Sequence, residues 1–311
     1  MTILTVTMNP SIDIAYYMGE FTLDNVNRVS RVNKSAGGKG LNVSRVLKEL
    51  KVPFIATGLI GGELGTYIQR KFDEVEIEHD FFKISQETRN CIAILHDTQQ
   101  TEILESGPTV NQVEADAFLK HFEKLVKKVE VVVISGSLPN GLPTDYYLNM
   151  LKVCDRYEKR VVLDTSSESL FQVLQGNYKP FVIKPNIYEL SQILNKDLDS
   201  SIEVLKGAVN ADLFQGIEWV IVSLGSDGAF AKHGEKFYKV DIPKISVVNP
   251  VGSGDSTVAG IVESLRNQSD DVELLKHANV LGMLNAQEAI TGHINLDNYK
   301  YLYQKVEIVE V

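Results

Sequence analysis

The chain has 311 residues, 44% hydrophobic and 23% charged, an ordinary globular composition with enough apolar residues for a sizeable core. Its net charge of -10 at pH 7 argues against nucleic acid or an anionic membrane surface as a partner. Two distant cysteines, Cys91 and Cys154, exclude a disulfide framework and a cysteine zinc site. The N-terminus lacks a basic n-region and no apolar run approaches the length of a membrane span, so a cytoplasmic protein is expected.

In chain order, Val- and Ile-rich runs at Ile3–Met8, Phe54–Ile60, Val131–Ser135, Val161–Asp164, Phe181–Lys184 and Val220–Ser223 read as strands buried on both faces. Helical patterns lie between and after them, at Leu41–Leu50, Glu63–Phe72, Val113–Lys127, Thr144–Tyr157, Tyr188–Asn195, Ser256–Arg266 and Val272–Ala289. Alternating β and α elements predict an α/β fold, a mostly parallel sheet with helices on both sides. Two segments, residues 12–33 and about 78–108, are β-rich without a helix between strands, and are expected to pair into a small accessory sheet on a single domain spanning 1–311. Gln99-Gln100 is a plausible hairpin turn within the second segment. Gly58-Leu59-Ile60-Gly61-Gly62-Glu63-Leu64-Gly65 has the wrong spacing for a dinucleotide loop and reads as a structural turn.

Ligands of open α/β sheets bind beyond the C-terminal ends of the strands. Polar motifs stand at several such ends: Asn9-Pro10-Ser11-Ile12-Asp13, Ser135-Gly136-Ser137, Lys184-Pro185-Asn186 and Ser223-Leu224-Gly225. Two glycine clusters precede helices. In Gly252-Ser253-Gly254-Asp255 the turn brings one carboxylate to a helix start, where unpaired amides and the positive dipole end attract anions. Asp255 is there either a phosphoryl-transfer base or a helix N-cap. In Gly37-Gly38-Lys39-Gly40-Leu41-Asn42, Lys39 adds a mobile positive charge and Asn42 can donate and accept toward hydroxyls, unless the glycines serve chain geometry alone. Asn186-Ile187-Tyr188-Glu189 has residue types suited to a hard cation and equally suited to a capping box. Ser223–Gly228 fits a nucleotide loop or a plain hairpin turn.

The two glycine motifs together with Asn9–Asp13 resemble the PfkB (ribokinase-like) family of carbohydrate kinases, over essentially the whole chain. The resemblance implies a three-layer α/β/α core with a β lid, and transfer of the ATP γ-phosphate to a sugar hydroxyl with Mg²⁺. It implies that Asp255 is the catalytic base and that Gly252, Ser253 and Gly254 form the anion hole. Lys184, Asn186, Ser223, Gly225 and Gly228 would contact the nucleotide, and Asn186 and Glu189 would organise Mg²⁺, chiefly through water. Asp13, Gly38, Lys39, Asn42, Arg89, Arg28 and Ser137 would bind the sugar phosphate, Asp13 on its hydroxyls and Arg89, supported by Arg28, Lys39 and Ser137, on the phosphate already present.

Thr5–Asp13, Ile134–Pro139 and Asn249–Gly254 look like the 1-phosphofructokinase and tagatose-6-phosphate kinase group. Thr88–His96, Gln100–Glu105 and Gly282–Ala289 resemble tagatose-6-phosphate kinases more closely, which implies D-tagatose 6-phosphate as acceptor, phosphorylated at O1. Fructose 1-phosphate is the alternative acceptor. A non-catalytic sugar-phosphate sensor lies outside the class, as does a nicotinamide dehydrogenase, which the missing fingerprint disfavours. Sugar phosphate and ATP are the expected partners, and open strand edges on the lid favour a homodimer through it.

Overall fold

The computed structural model describes residues 2–96, 99–165 and 167–311. In chain order the strands and helices are β1 (Ile3–Thr7), β2 (Ser11–Met18), β3 (Arg31–Gly37), α1 (Lys39–Glu49), β4 (Phe54–Gly61), α2 (Gly62–Glu74), β5 (Phe82–Ile84), β6 (Arg89–His96), β7 (Gln99–Leu104), α3 (Gln112–Val126), β8 (Val131–Ser135), α4 (Tyr146–Arg156), β9 (Arg160–Asp164) and α5 (Ser167–Gln175). They continue with β10 (Val182–Ile183), α6 (Ile187–Leu194), α7 (Ile202–Val209), β11 (Trp219–Ser223), β12 (Ala229–His233), β13 (Lys236–Asp241), α8 (Ser253–Asn267), α9 (Asp271–Ala286), α10 (Tyr299–Lys305) and β14 (Glu307–Glu310).

The large sheet runs β14-β13-β12-β11-β10-β9-β8-β1-β4-β5, parallel from β11 to β5 and antiparallel through β12, β13 and β14. Side chains of a strand alternate faces, and both faces here are apolar. Ile3, Val131 and Val133 join one core with α1, α2, α8, α9 and α10. Leu4, Val6, Val132 and Ile134 join a second core with α3 to α7. This is the three-layer α/β/α arrangement. Burial on both sides explains why these strands read as continuous apolar runs.

A second sheet, β3-β2-β6-β7, takes its strands from the two β-rich segments. Part of the expectation is corrected: Phe82–Ile84 lies within the second segment yet pairs with β4 in the large sheet. Gln99 and Gln100 are not the turn but the first residues of β7, opposite His96 and Leu95; the connection at 97–98 lies outside the described residues. Gly58–Gly61 belongs to β4, which runs directly into α2 at Gly62, so that stretch is no turn. The strand expected at Phe181–Lys184 is shorter, Val182–Ile183, and Pro185, with no N–H, ends the ladder on its C-terminal side. The last long helix stops at Ala286, three residues short of the expected Ala289. Among the described residues, no helix is long and apolar enough to cross a membrane.

Candidate active site

A cleft of about 1020 Å³ opens where the C-terminal ends of the parallel strands face the four-stranded sheet. Thr7 of β1, Gly136 after β8, Asp164 of β9, Lys184 after β10 and Ser223 of β11 all line it. Chain order reverses around β1, flanked by β4 on one side and β8 on the other, which leaves such a crevice at the strand ends.

Asp255 stands on its wall, in the first turn of α8. The turn before it depends on Gly252, whose φ of 86° suits glycine. A Cβ there would also lie 2.6 Å from Thr291 Cγ2. Gly252 occupies the N-cap position and no side chain caps this helix, so Asp255 is free of the capping role. Its carboxylate instead accepts a 2.6 Å hydrogen bond from Asn42 Nδ2 on α1. Burial pushes the Asp255 carboxyl up to about 6; the charge of Asp164 adds to this, while Asn42, Lys39 and Lys184 oppose it. Lys184 is buried beside the turn, so that a Cβ on Gly254 would stand 3.3 Å from its Nζ.

Lys39 is the first residue of α1, with Gly38 as N-cap at φ 107°. Its Nζ lies 3.4 Å from Asp164 Oδ1. That carboxylate is the main reason its pKa is raised. Asn186 and Glu189 form a complete capping box at the start of α6. Asn186 Oδ1 accepts from the Glu189 amide at 2.8 Å, and Glu189 Oε2 accepts from the Asn186 amide at 2.9 Å. Glu189 still lines the cleft from that position.

On the side of the four-stranded sheet, Asp13 of β2 accepts a 2.6 Å bond from Ser11 Oγ, and burial raises its pKa despite that bond. Arg89 of β6 donates to the carbonyls of Glu105 at 2.9 Å and Asn9 at 3.2 Å. Its Nε is buried without a partner, as are Thr7 Oγ1 and Asn9 Oδ1. Buried polar atoms are normally satisfied, so these orphans beside a polar cleft fit a hydrogen-bonding ligand.

Of the residues singled out in the sequence, Asp255, Gly252, Gly254, Asp13, Gly38, Lys39, Asn42, Arg89, Ser137, Lys184, Asn186, Glu189 and Ser223 come together around this one cleft. Arg28 does not: it is exposed on the loop between β2 and β3. Gly225 and Gly228 also lie outside the lining, at the start of and just after the 3₁₀ turn that joins antiparallel β11 and β12. Ser253 points its Oγ into the interior without a partner rather than into the cleft. Sequence reasoning missed Asp164, although a carboxylate ending a buried parallel strand was a usable signal. It also missed Arg45, which contacts Asn42 from one helical turn away.

Among the described residues, no three His, Cys, Asp or Glu side chains cluster to hold a metal. The donors present therefore fit Mg²⁺ only as an ion that takes most of its ligands from phosphate and water, with Glu189 and Asp164 nearby. The lysines, the glycine turn and the unpaired amides of a helix start fit an anion.

Comparison with known proteins agrees with this architecture. A Staphylococcus aureus protein described as a "putative phosphofructokinase" is 33% identical, with 100% of this chain and 99% of that one covered and a TM-score of 0.84. A Thermotoga maritima protein described as a "possible 1-phosphofructokinase" is 25% identical over 100% of both chains, with a TM-score of 0.89. Phosphofructokinase-2 from Escherichia coli, solved in complex with fructose-6-phosphate, shares the fold at a TM-score of 0.85, with 24% identity over 97% of this chain and 98% of that one. Residues 6–297 match the pfkB family of carbohydrate kinases, and the chain belongs to that family.

Proposed function

We propose that this chain transfers the γ-phosphate of ATP to a hydroxyl of a ketohexose phosphate, and that the acceptor is O1 of D-tagatose 6-phosphate. The observation that carries the reading is the setting of Asp255. A buried carboxylate with a pKa of about 6 is hydrogen-bonded on one oxygen by Asn42 and approached by Lys39 and Lys184. It is ionised at neutral pH, yet is a stronger base than a solvated carboxylate.

In the proposed reaction Asp255 accepts the proton of the attacking hydroxyl as the new O–P bond forms and the bond to ADP breaks. Lys39, Lys184 and the amides of the Gly252–Gly254 turn face the charge spread over the transferring oxygens. Mg²⁺, when bound, would neutralise phosphate charge beside Glu189 and Asp164. Asp13 would accept from sugar hydroxyls. Arg89, a planar fork that spends only two of its five N–H groups on the Glu105 and Asn9 carbonyls, would hold the phosphate already on the sugar.

The choice of tagatose 6-phosphate rests on the motifs around Thr88–His96 and Gly282–Ala289. Fructose 1-phosphate is the second reading, favoured by the likeness to the Thermotoga protein along the full chain. Epimers differ by one hydroxyl direction, so fructose 6-phosphate should also react to some extent. Exposed Leu23, Val26, Ile103 and Leu104 on the small sheet and its loop support a homodimer through that sheet. Coupled ADP release against tagatose 6-phosphate, fructose 6-phosphate, fructose 1-phosphate and ribose tests the assignment. The highest kcat/KM should fall to tagatose 6-phosphate, and a clear preference for unphosphorylated ribose would overturn it.

A further inference from the structure

The side chain that fixes Asn42 is Arg45, three residues further along α1. Its guanidinium donates to three oxygens, none a carboxylate: the Ala36 carbonyl, Asn42 Oδ1, and the Thr291 carbonyl at 3.0 Å. These partners come from three places around the cleft. Ala36 precedes Gly37, the last residue of β3, which packs against the Asp13 carboxylate. Thr291 packs against Gly252 in the turn before Asp255. Gly292 leaves room for the guanidinium, since a Cβ there would lie 3.1 Å from one of its terminal nitrogens.

An amide has one acceptor end and one donor end. With Oδ1 of Asn42 bound to a permanent cation, Nδ2 must face the other way, and there it donates to Asp255 Oδ2 at 2.6 Å. Without Arg45 the amide could rotate, and its oxygen would then repel the carboxylate. The Arg45 charge is also attracted to Asp13 and Asp255, one on each side of the cleft.

We propose that Arg45 is a positioning residue: it sets the Asn42 amide so that one Asp255 oxygen is occupied and the other is presented to the attacking hydroxyl. This inference rests on the kinase reading of the same cleft. A charged fork is required for it. Lysine would supply the charge but cannot reach three acceptors in one plane.

The test is a cycle of Arg45→Met, Asn42→Ala and the double variant, in coupled ADP release with tagatose 6-phosphate and fructose 6-phosphate. Arg45→Met should lower kcat ~10–100-fold, the scale of a misplaced catalytic group, while KM for ATP stays within about threefold. Because Arg45 acts through Asn42, the double variant should be no worse than Asn42→Ala alone; losses that multiply would overturn the proposal. The acid limb of the kcat profile should move to higher pH in Arg45→Met, since a cation near Asp255 is lost, and return in Arg45→Lys without recovery of kcat. The groups that share this field are Lys39 on α1, Asp164 on β9 and Lys184 before α6. If Arg45→Met does not fold, a normal kcat in Arg45→Lys overturns the proposal and a lowered one supports it. If the wild-type protein phosphorylates no sugar phosphate, the kinase reading fails by itself. A crystal structure of the Arg45 variant then decides: an Asn42 amide turned from Asp255 supports positioning, and an unchanged bond overturns it.

Discussion

Lys39 and Asp164 meet across the floor of the cleft, Nζ 3.4 Å from Oδ1, although 124 residues separate them in the chain. Asp164 is almost wholly enclosed, at 3% side-chain exposure, whereas Lys39 keeps 41%. The lysine is thus held on a buried carboxylate, which keeps it ionised. The same carboxylate raises the pKa of Asp255.

Replacing Asp164 with Asn should therefore lower the Asp255 pKa. The acid limb of kcat/KM for the sugar phosphate, expected near pH 6 in the wild-type protein, should move to lower pH. A pH–rate profile of the two proteins checks this; an unmoved or upward-moved limb would show that Asp164 does not act on Asp255.

The glycine punctuation of this site was legible in the sequence because Gly252 and Gly38 adopt conformations few other residues tolerate. Asp164 and Arg45 were not legible as a pair of supports, since their roles depend on contacts with residues far along the chain. The antiparallel strands β12 to β14 were missed for a different reason. Ala229–His233 and Lys236–Asp241 mix buried and half-exposed positions without a Val/Ile run. Strand β7 is exposed throughout, so it carries no alternation, and its leading Gln99-Gln100 imitated a turn. Asn186 and Glu189 show that one pair can satisfy a helix cap and still face the cleft, which no reading of the tetrad alone could separate.

Gly37 is pinned by the Asp13 side chain: a Cβ on Gly37 would lie 2.0 Å from Asp13 Cγ. Gly37→Ala should displace that carboxylate, raising KM for the sugar phosphate by an estimated tenfold or more, about 1.4 kcal/mol of lost binding. KM for ATP should change little. Overpacking should also cost stability, about 1–3 kcal/mol. Steady-state kinetics with each substrate varied in turn will separate the two effects, and an equal rise in both KM values would contradict the placement of Asp13 on the sugar.

Arg89→Ala should raise KM for a sugar phosphate far more than for ATP, by ~10²-fold if a charge-assisted bidentate contact is lost. Comparing a phosphorylated with an unphosphorylated ketohexose gives the specific signature. The variant should lose its preference for the phosphorylated sugar, and an intact preference would remove Arg89 from the site.

Burial of Asp255 has a consequence for stability. Its carboxyl rises from 3.8 to about 6 on folding, so the folded state holds the proton more tightly than the unfolded one. Below about pH 4 both states are protonated and the stabilising effect of that tighter binding is fully present. It is lost as pH rises toward 6, where the folded state must ionise a buried group, and the loss amounts to roughly 2–3 kcal/mol at ~1.4 kcal/mol per unit. Asp255→Asn removes that titration. The variant should match or exceed the wild-type apoprotein in stability at pH 7.5, and its urea midpoint should vary less between pH 4 and 7. A parallel pH dependence in both proteins would show that Asp255 is not perturbed by its surroundings.

The most direct measurement is the turnover of Asp255→Asn with saturating ATP, Mg²⁺ and tagatose 6-phosphate, set beside its affinity for ATP by calorimetry. If Asp255 takes the hydroxyl proton, kcat should fall at least ~10²-fold, as for loss of a general base, while ATP binding persists. Turnover within a few fold of wild type, in a protein that binds ATP normally, would contradict the assignment of Asp255 as the base.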